Sequence, residues 1–221
     1  MGDLYPRSHI EIDGLLARYY EQLLNLVTLG KYSKFIENAI RAMDIQPEDK
    51  ILDLGAGSGY NAEYMVNYMN SDGRILGLDK SRVGIERFRE KFQTNPSVSV
   101  ENRRIDKPLP YDSEFDKVLT SFVIHGLPHP ARENLIKNAR KALKPEGKFF
   151  ILDYGEFELS ELPLQIRLPF RAAECKYAYD YISRDWKAIL VDFGFKPTGN
   201  KEYFDGFTRL LEAEKQSGRE S

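Results

Sequence analysis

The sequence predicts an α/β protein built on an open, mostly parallel sheet with helices on both faces. Three observations carry that expectation. Short apolar runs alternate with helical patterns of about 10 to 15 residues, the rhythm of right-handed βαβ units. A turn with glycines at 55, 57 and 59 joins one such run directly to a helix, and Asp79 ends the next run 20 residues after Gly59.

The elements follow in order. From Ile10 to about Met43 apolar residues recur at helical spacing: Ile12, Leu15, Leu16 and Tyr19, then Leu23, Leu26 and Val27, then Phe35, Ile36, Ala39 and Ile40. Gly30 divides them into two helices, so residues 1–45 read as a helical cover over a main domain at 46–213. Strands are expected at Ile51–Leu54, Ile75–Leu78, Val98–Val100, Val118–Val123 and Phe149–Leu152. Helices are expected between most of them, at Asn61–Asn70, Val83–Phe92 and Arg132–Leu143. Pro145-Glu146-Gly147 reads as a turn feeding the fifth strand. After Asp153 the rhythm breaks, and residues 155–181, rich in aromatics without clean periodicity, read as an inserted segment. A helix from Ser183 to Phe193 stops at Gly194. Two strands, Lys196–Lys201 and an antiparallel Phe204–Ala213, bring the count to seven, and residues 214–221 are expected to fray.

Composition narrows the function. The chain has 221 residues, 42% of them hydrophobic, enough for a sizeable core. Lys and Arg total 32 against 34 Asp and Glu, so no large positive field exists to recruit phosphate and no nucleic-acid partner is expected. One cysteine, Cys175, supplies neither an intramolecular disulfide nor a Cys-rich metal site, and it reads as a buried small hydrophobe. With three scattered histidines there is no metal-ligand spacing. No leader pattern opens the chain, and no run approaches the roughly 18 apolar residues of a membrane span. A cytoplasmic protein is the expectation.

The glycine loop is the most informative stretch. Its glycines let the backbone bend tightly and let a ligand approach where a Cβ would collide. Asp79 can accept hydrogen bonds from both hydroxyls of a ribose. A dinucleotide fingerprint would place its third glycine at position 60, which is Tyr60. Asp53 stands just before the loop, where a carboxylate would repel a pyrophosphate and attract an ammonium. S-adenosylmethionine, with an α-ammonium, a ribose, an adenine and no phosphate, fits that charge pattern.

Asp53 through Gly59, followed by Asp79, resembles the first two motifs of the class I S-adenosylmethionine-dependent methyltransferases. Leu109-Pro110-Tyr111 with Glu114-Phe115-Asp116, and Ala142-Leu143-Lys144-Pro145-Glu146-Gly147, resemble the segments leading into that family's fourth and fifth strands. Within the superfamily the chain looks most like the ubiquinone/menaquinone C-methyltransferases. Ala17-Arg18-Tyr19-Tyr20, Leu24 to Gly30 and Thr120-Ser121-Phe122 carry that likeness. The resemblance implies a Rossmann-like, seven-stranded class I methyltransferase fold with S-adenosylmethionine as cofactor. It implies Asp53 at the methionine part, Gly55, Ala56, Gly57, Ser58 and Gly59 beneath the ligand, and Asp79 at the ribose, with Lys80 a further cofactor contact. Asp106 would address the adenine if its loop is one residue shorter than usual, and Ile105 beside it would contact the cofactor. Ser121 and Phe122 would complete the cofactor contacts. The chain departs from the family at Ile124-His125-Gly126, where Leu-Arg-Asn is usual, and this points to a different acceptor.

His125, at the carboxyl end of a central strand, is the expected general base, with packing within its Pro-rich loop as the alternative. His9 and His129 read as surface or loop residues. Tyr154 would orient an acceptor oxygen. Tyr19 and Tyr20 would close over the cofactor, and Arg167, Phe170 and Tyr177 would lie in an acceptor lid at 155–181. The acceptor expected is a small hydrophobic or aromatic molecule, quinone-like or lipid-like. Amine, thiol, metalloid, RNA or protein acceptors remain rivals, as does a non-catalytic S-adenosylmethionine-binding protein, and a homodimer is left open.

Overall fold

The computed structural model describes residues 31–162 and 164–218. Helix α1 spans Lys31–Ala42, and Phe35, Ile36, Ala39 and Ile40 form its buried stripe. Then come β1 (Lys50–Leu54), α2 (Tyr60–Met65), β2 (Arg74–Asp79), α3 (Arg82–Lys91), β3 (Val98–Asn102) and β4 (Phe115–Ser121). They are followed by α4 (His129–Ala142), β5 (Leu143–Tyr154), α5 (Leu164–Ala173), α6 (Lys176–Ile182), α7 (Trp186–Asp192), β6 (Phe195–Tyr203) and β7 (Thr208–Lys215). The strands form one seven-stranded sheet in the order β3-β2-β1-β4-β5-β7-β6, with β7 antiparallel to both neighbours and the first five strands parallel.

Strand periodicity divides the core into two layers. Leu52, Leu54, Phe149 and Ile151 face one side, where Leu135, Ile136 and Ala139 of α4, Ala178 and Tyr181 of α6, and Trp186 of α7 pack. Ile51, Phe150 and Leu152 face the other, against Ile36 of α1, Ala62 of α2 and Phe88 of α3. The strand order reverses between β1 and β4, which opens a crevice at their carboxyl ends. Asp53, Asp79, Ser121 and Asp153 of the candidate site below lie at the carboxyl ends of β1, β2, β4 and β5.

The structure corrects four expectations. The Pro145-Glu146-Gly147 turn lies inside β5 as a bulge: Phe115 pairs with Leu143 and Lys117 with Lys148, and Glu146 takes φ +63° to absorb the extra residues. The inserted segment at 155–181, for which no helical period was expected, folds largely as α5 and α6. Helix α7 starts at Trp186 rather than Ser183, because the Asp185 side chain caps it by accepting from the Ala188 amide. Residues 214 and 215 are strand, not frayed tail. The polar side of β7 is held across the sheet, Glu212 pairing with Lys148 at 2.8 Å and accepting from Thr198 at 3.0 Å. Residues 1–30, including the first predicted helix, lie outside the described residues. Among the described residues no helix is long and apolar enough to cross a membrane.

Candidate active site

The glycine loop leaves β1 with all three of its glycines in the left-handed region, at φ 88°, 54° and 78° for Gly55, Gly57 and Gly59. They serve different ends. A Cβ on Gly59 would lie 2.7 Å from both Phe88 and Phe92, so this position seats α2 against α3. A Cβ on Gly57 would meet nothing within 4 Å, so the loop is open there. Asp79, at the end of β2, fastens the loop: its carboxylate accepts from the Gly57 and Ser81 amides, each at 2.7 Å. Burial pushes its pKa up against the pull of those amides.

Asp53 is fully buried at the end of β1, and neither of its carboxylate oxygens has a hydrogen-bond partner. Burial, helped by the Asp79 charge and opposed by the nearby Asn61 amide, pushes its pKa up to about 7. An unpartnered buried carboxylate is costly unless a cation or donor reaches it. The residues therefore fit a ligand with an ammonium beside the loop and a hydroxylated ring near Asp79.

The other expected cofactor residues surround this point. Ala56 and Ser58 are buried in the loop. Lys80 is exposed and donates to Asn102 at the end of β3 at 2.6 Å. The Ile105 side chain packs on the core, and its carbonyl accepts from Asn138 at 2.8 Å. Asp106 is buried and held by Arg104 through both oxygens, at 2.9 and 2.6 Å. Ser121 ends β4. Phe122, forced to φ +52°, turns its ring edge-on to Phe35 of α1 and Tyr154 of β5.

His125 follows in the single turn Ile124–Gly126. Its Nδ1 lies 2.7 Å from Asp153 Oδ1, and its backbone N–H donates to the other Asp153 oxygen at 3.3 Å. Asp153 is fully buried and also accepts from the Tyr154 amide at 2.8 Å. With Nδ1 committed, Nε2 is the ring atom left to act, and Glu174 Oε2 lies 3.6 Å from it. The Tyr154 hydroxyl donates to Glu174 Oε1 at 2.6 Å, and the Tyr154 ring lies 4.9 Å from the imidazole. Burial opposes charge on the ring, yet Asp153 and then Glu174 outweigh both burial and the Arg132 cation, holding the pKa above the ordinary histidine value.

Arg132 of α4 fixes this turn from below. Its fully buried guanidinium donates to the Ile124, His125 and Tyr177 carbonyls and to Asp180, and it lies over the Tyr181 and Trp186 rings. It thus ties the His125 turn to α6. An aromatic floor continues outward from Tyr154 through Phe170, Phe157 and Phe207.

The structure brings His125, Tyr154, Phe122 and Phe170 together. Arg167 instead donates to the Ser160 carbonyl at 3.2 Å, and the Tyr177 ring lies under the Lys176 ammonium. Tyr19 and Tyr20 lie outside the described residues. Cys175 is buried, as expected. Sequence reasoning missed Asp153, Glu174 and Arg132. Asp153 had a legible signal, since an acid closing β5 and a histidine just beyond neighbouring β4 meet at one edge. Glu174 and Arg132 had none.

Comparison with known proteins gives this arrangement relatives. Residues 51–147 match the family described as "Methyltransferase domain". The chain is 30% identical over 143 residues to the 2-phytyl-1,4-naphtoquinone methyltransferase of Trichormus variabilis, covering 63% of this chain and 61% of that one. It is 27% identical over 198 residues to an uncharacterized methyltransferase of Synechocystis, covering 88% of this chain and 90% of the relative. The crystal structure of a SAM-dependent methyltransferase from Aquifex aeolicus superposes with a TM-score of 0.60 at 18% identity, covering 81% of this chain and 88% of the other. The chain spans only 4%, 42% and 61% of the length of three of the curated relatives it matches.

Proposed function

We propose that this protein is an S-adenosylmethionine-dependent methyltransferase acting on a small, partly apolar acceptor, a reading supported by the match of residues 51–147 to the family described as "Methyltransferase domain". The observation that carries the reading is Asp53: a buried carboxylate with no partner, beside a glycine loop that is open at Gly57. S-adenosylmethionine supplies a methyl group activated by a sulfonium, and its α-ammonium is the cation Asp53 lacks. Asp79 would hold the ribose, the loop backbone would approach the ligand closely, and Asp106 would address the adenine. Lys80, Ile105, Ser121 and Phe122 line the same edge.

The chain's own chemistry centres on His125. Asp153 fixes the ring so that Nδ1 keeps its proton and Nε2 carries the lone pair. Nε2 then takes the proton of the acceptor as the methyl arrives. The Tyr154, Phe157, Phe170 and Phe207 rings favour an acceptor with an apolar or aromatic body. The likeness to a naphtoquinone methyltransferase supports a quinone-like ring as that body. Positioning in a dry site supplies much of the acceleration, because displacement at a sulfonium needs little covalent help.

Calorimetric titration with S-adenosylmethionine, S-adenosylhomocysteine and NADH tests the reading. Binding of both adenosyl ligands, absent for NADH and lost in Asp79→Ala, is the expected result. No adenosyl binding to the native protein would refute it.

A further inference from the structure

Glu174 is the carboxylate of the His125 cluster that the mechanism above leaves idle. It sits in the link between α5 and α6. Its Oε1 is pinned by the Tyr154 hydroxyl at 2.6 Å, which leaves Oε2 turned toward Nε2 at 3.6 Å. That gap is closed by a small side-chain shift or by one bridging water.

We propose that Glu174 is the proton exit of the site: it takes from His125 Nε2 the proton drawn from the acceptor and passes it to solvent. The proposal rests on the methyl-transfer reading. Asp153 cannot play this part, because its side chain is fully buried and its oxygens already face the His125 ring, the His125 amide and the Tyr154 amide. The Glu174 side chain keeps 14% of its surface exposed.

The step balances. The pair from the acceptor's X–H bond forms the new bond to the methyl carbon, and the S–CH3 pair stays on sulfur as a thioether. The proton moves to Nε2, then to Glu174, then to water, while Nδ1–H stays with Asp153. The acceptor class follows: a molecule with a removable proton, such as a phenolic or enolic hydroxyl, an acidic C–H or a protonated amine. A thioether or tertiary amine would need no exit. Among the described residues the titratable groups facing the imidazole are Asp153 and Tyr154 from β5, Glu174 from the α5–α6 link and Arg132 from α4. Removing the Glu174 charge alone therefore leaves Asp153 opposed by Arg132.

Ring-15N histidine spectra of the full chain test the proposal without any acceptor. The chain has three histidines, so His125 is assigned by its loss in His125→Asn. In Glu174→Gln the His125 titration midpoint should fall to lower pH and exchange of its Nε2 proton with water should slow. Glu174→Asp, the fallback should the amide variant fold poorly, should fall between the two in both readouts. S-adenosylhomocysteine affinity should not change in either variant. An unmoved midpoint or an unchanged exchange rate would overturn the proposal. Loss of adenosyl binding by the native protein would instead sink the methyl-transfer reading, and the two failures are read from separate measurements.

Discussion

Asp53 and the loop glycines make their own predictions at the residue scale. The Asp53 carboxyl holds its proton up to about pH 7, well above the ordinary carboxylate range. A raised carboxyl pKa adds stability at low pH that is lost as pH rises from about 4 through 7. A cationic ligand reverses the preference, so binding of S-adenosylmethionine at pH 6 should release about one proton, falling toward zero above pH 8. Calorimetry in two buffers of different ionisation enthalpy measures that number directly. Gly57 and Gly59 separate binding from folding. Gly59→Ala forces a Cβ against Phe88 and Phe92 and should cost roughly 3 kcal/mol in urea unfolding. Gly57→Ala pays only the left-handed backbone penalty of roughly 1 kcal/mol, yet its methyl enters the open side of the loop and should abolish adenosyl binding. These residues were legible in the sequence because spacing along one strand–turn–helix defines them. Asp53 differs: its charge pattern was readable, but its lack of any partner was not.

At the scale of elements, α4 and α6 are joined by one side chain. Arg132 satisfies the carbonyls of Ile124, His125 and Tyr177, so Arg132→Leu should leave buried acceptors without donors and cost roughly 3–5 kcal/mol in urea unfolding. Arg132→Lys should recover only a minor part, because one ammonium cannot reach acceptors spread over a planar fork. Asp180 adds less to the loss, since its side chain is 41% exposed. None of this was visible beforehand: an arginine in a charged helical pattern looks like a solvated face. Helices α5 and α6 were hidden for a related reason. Pro169 stands inside the first, and in the second the alternating Tyr177, Tyr179 and Tyr181, of which Tyr179 packs on Phe170, obscure a helical period. By contrast α3 and the strands β1 to β3 were readable, because each carries its own apolar period and its own stop, whereas β4, expected at Val118–Val123, runs from Phe115 to Ser121.

For the whole molecule, the decisive feature is that the latest strand in the described sequence is not at the edge. β7 lies between β5 and β6, pairing with β5 from Lys148↔Glu214 to Tyr154↔Thr208. Its antiparallel sense was expected from the sequence, but the side on which it inserts was not, because strand order is a long-range property that no local pattern records. The meeting of His125 with Asp153 depends on the same kind of fact, β4 and β5 being neighbours, but there the right-handed βαβ rhythm already implied the pairing. The hairpin that carries β7 also finishes the site: Phe204 touches Phe35 of α1, and Phe207 stacks on Phe157 beside Tyr154. A chain ending at Tyr203 should therefore accumulate as insoluble protein and bind no S-adenosylhomocysteine, as checked by the soluble fraction and calorimetry. Biosynthesis inherits the same constraint. While the ribosome is still making the hairpin, β5 presents a bare hydrogen-bonding edge rich in Phe and Ile, and the aromatic floor lacks its closing ring. The nascent protein thus passes through its most adhesive state between the making of β5 and the insertion of β7, and that one insertion brings both a working site and a safe surface.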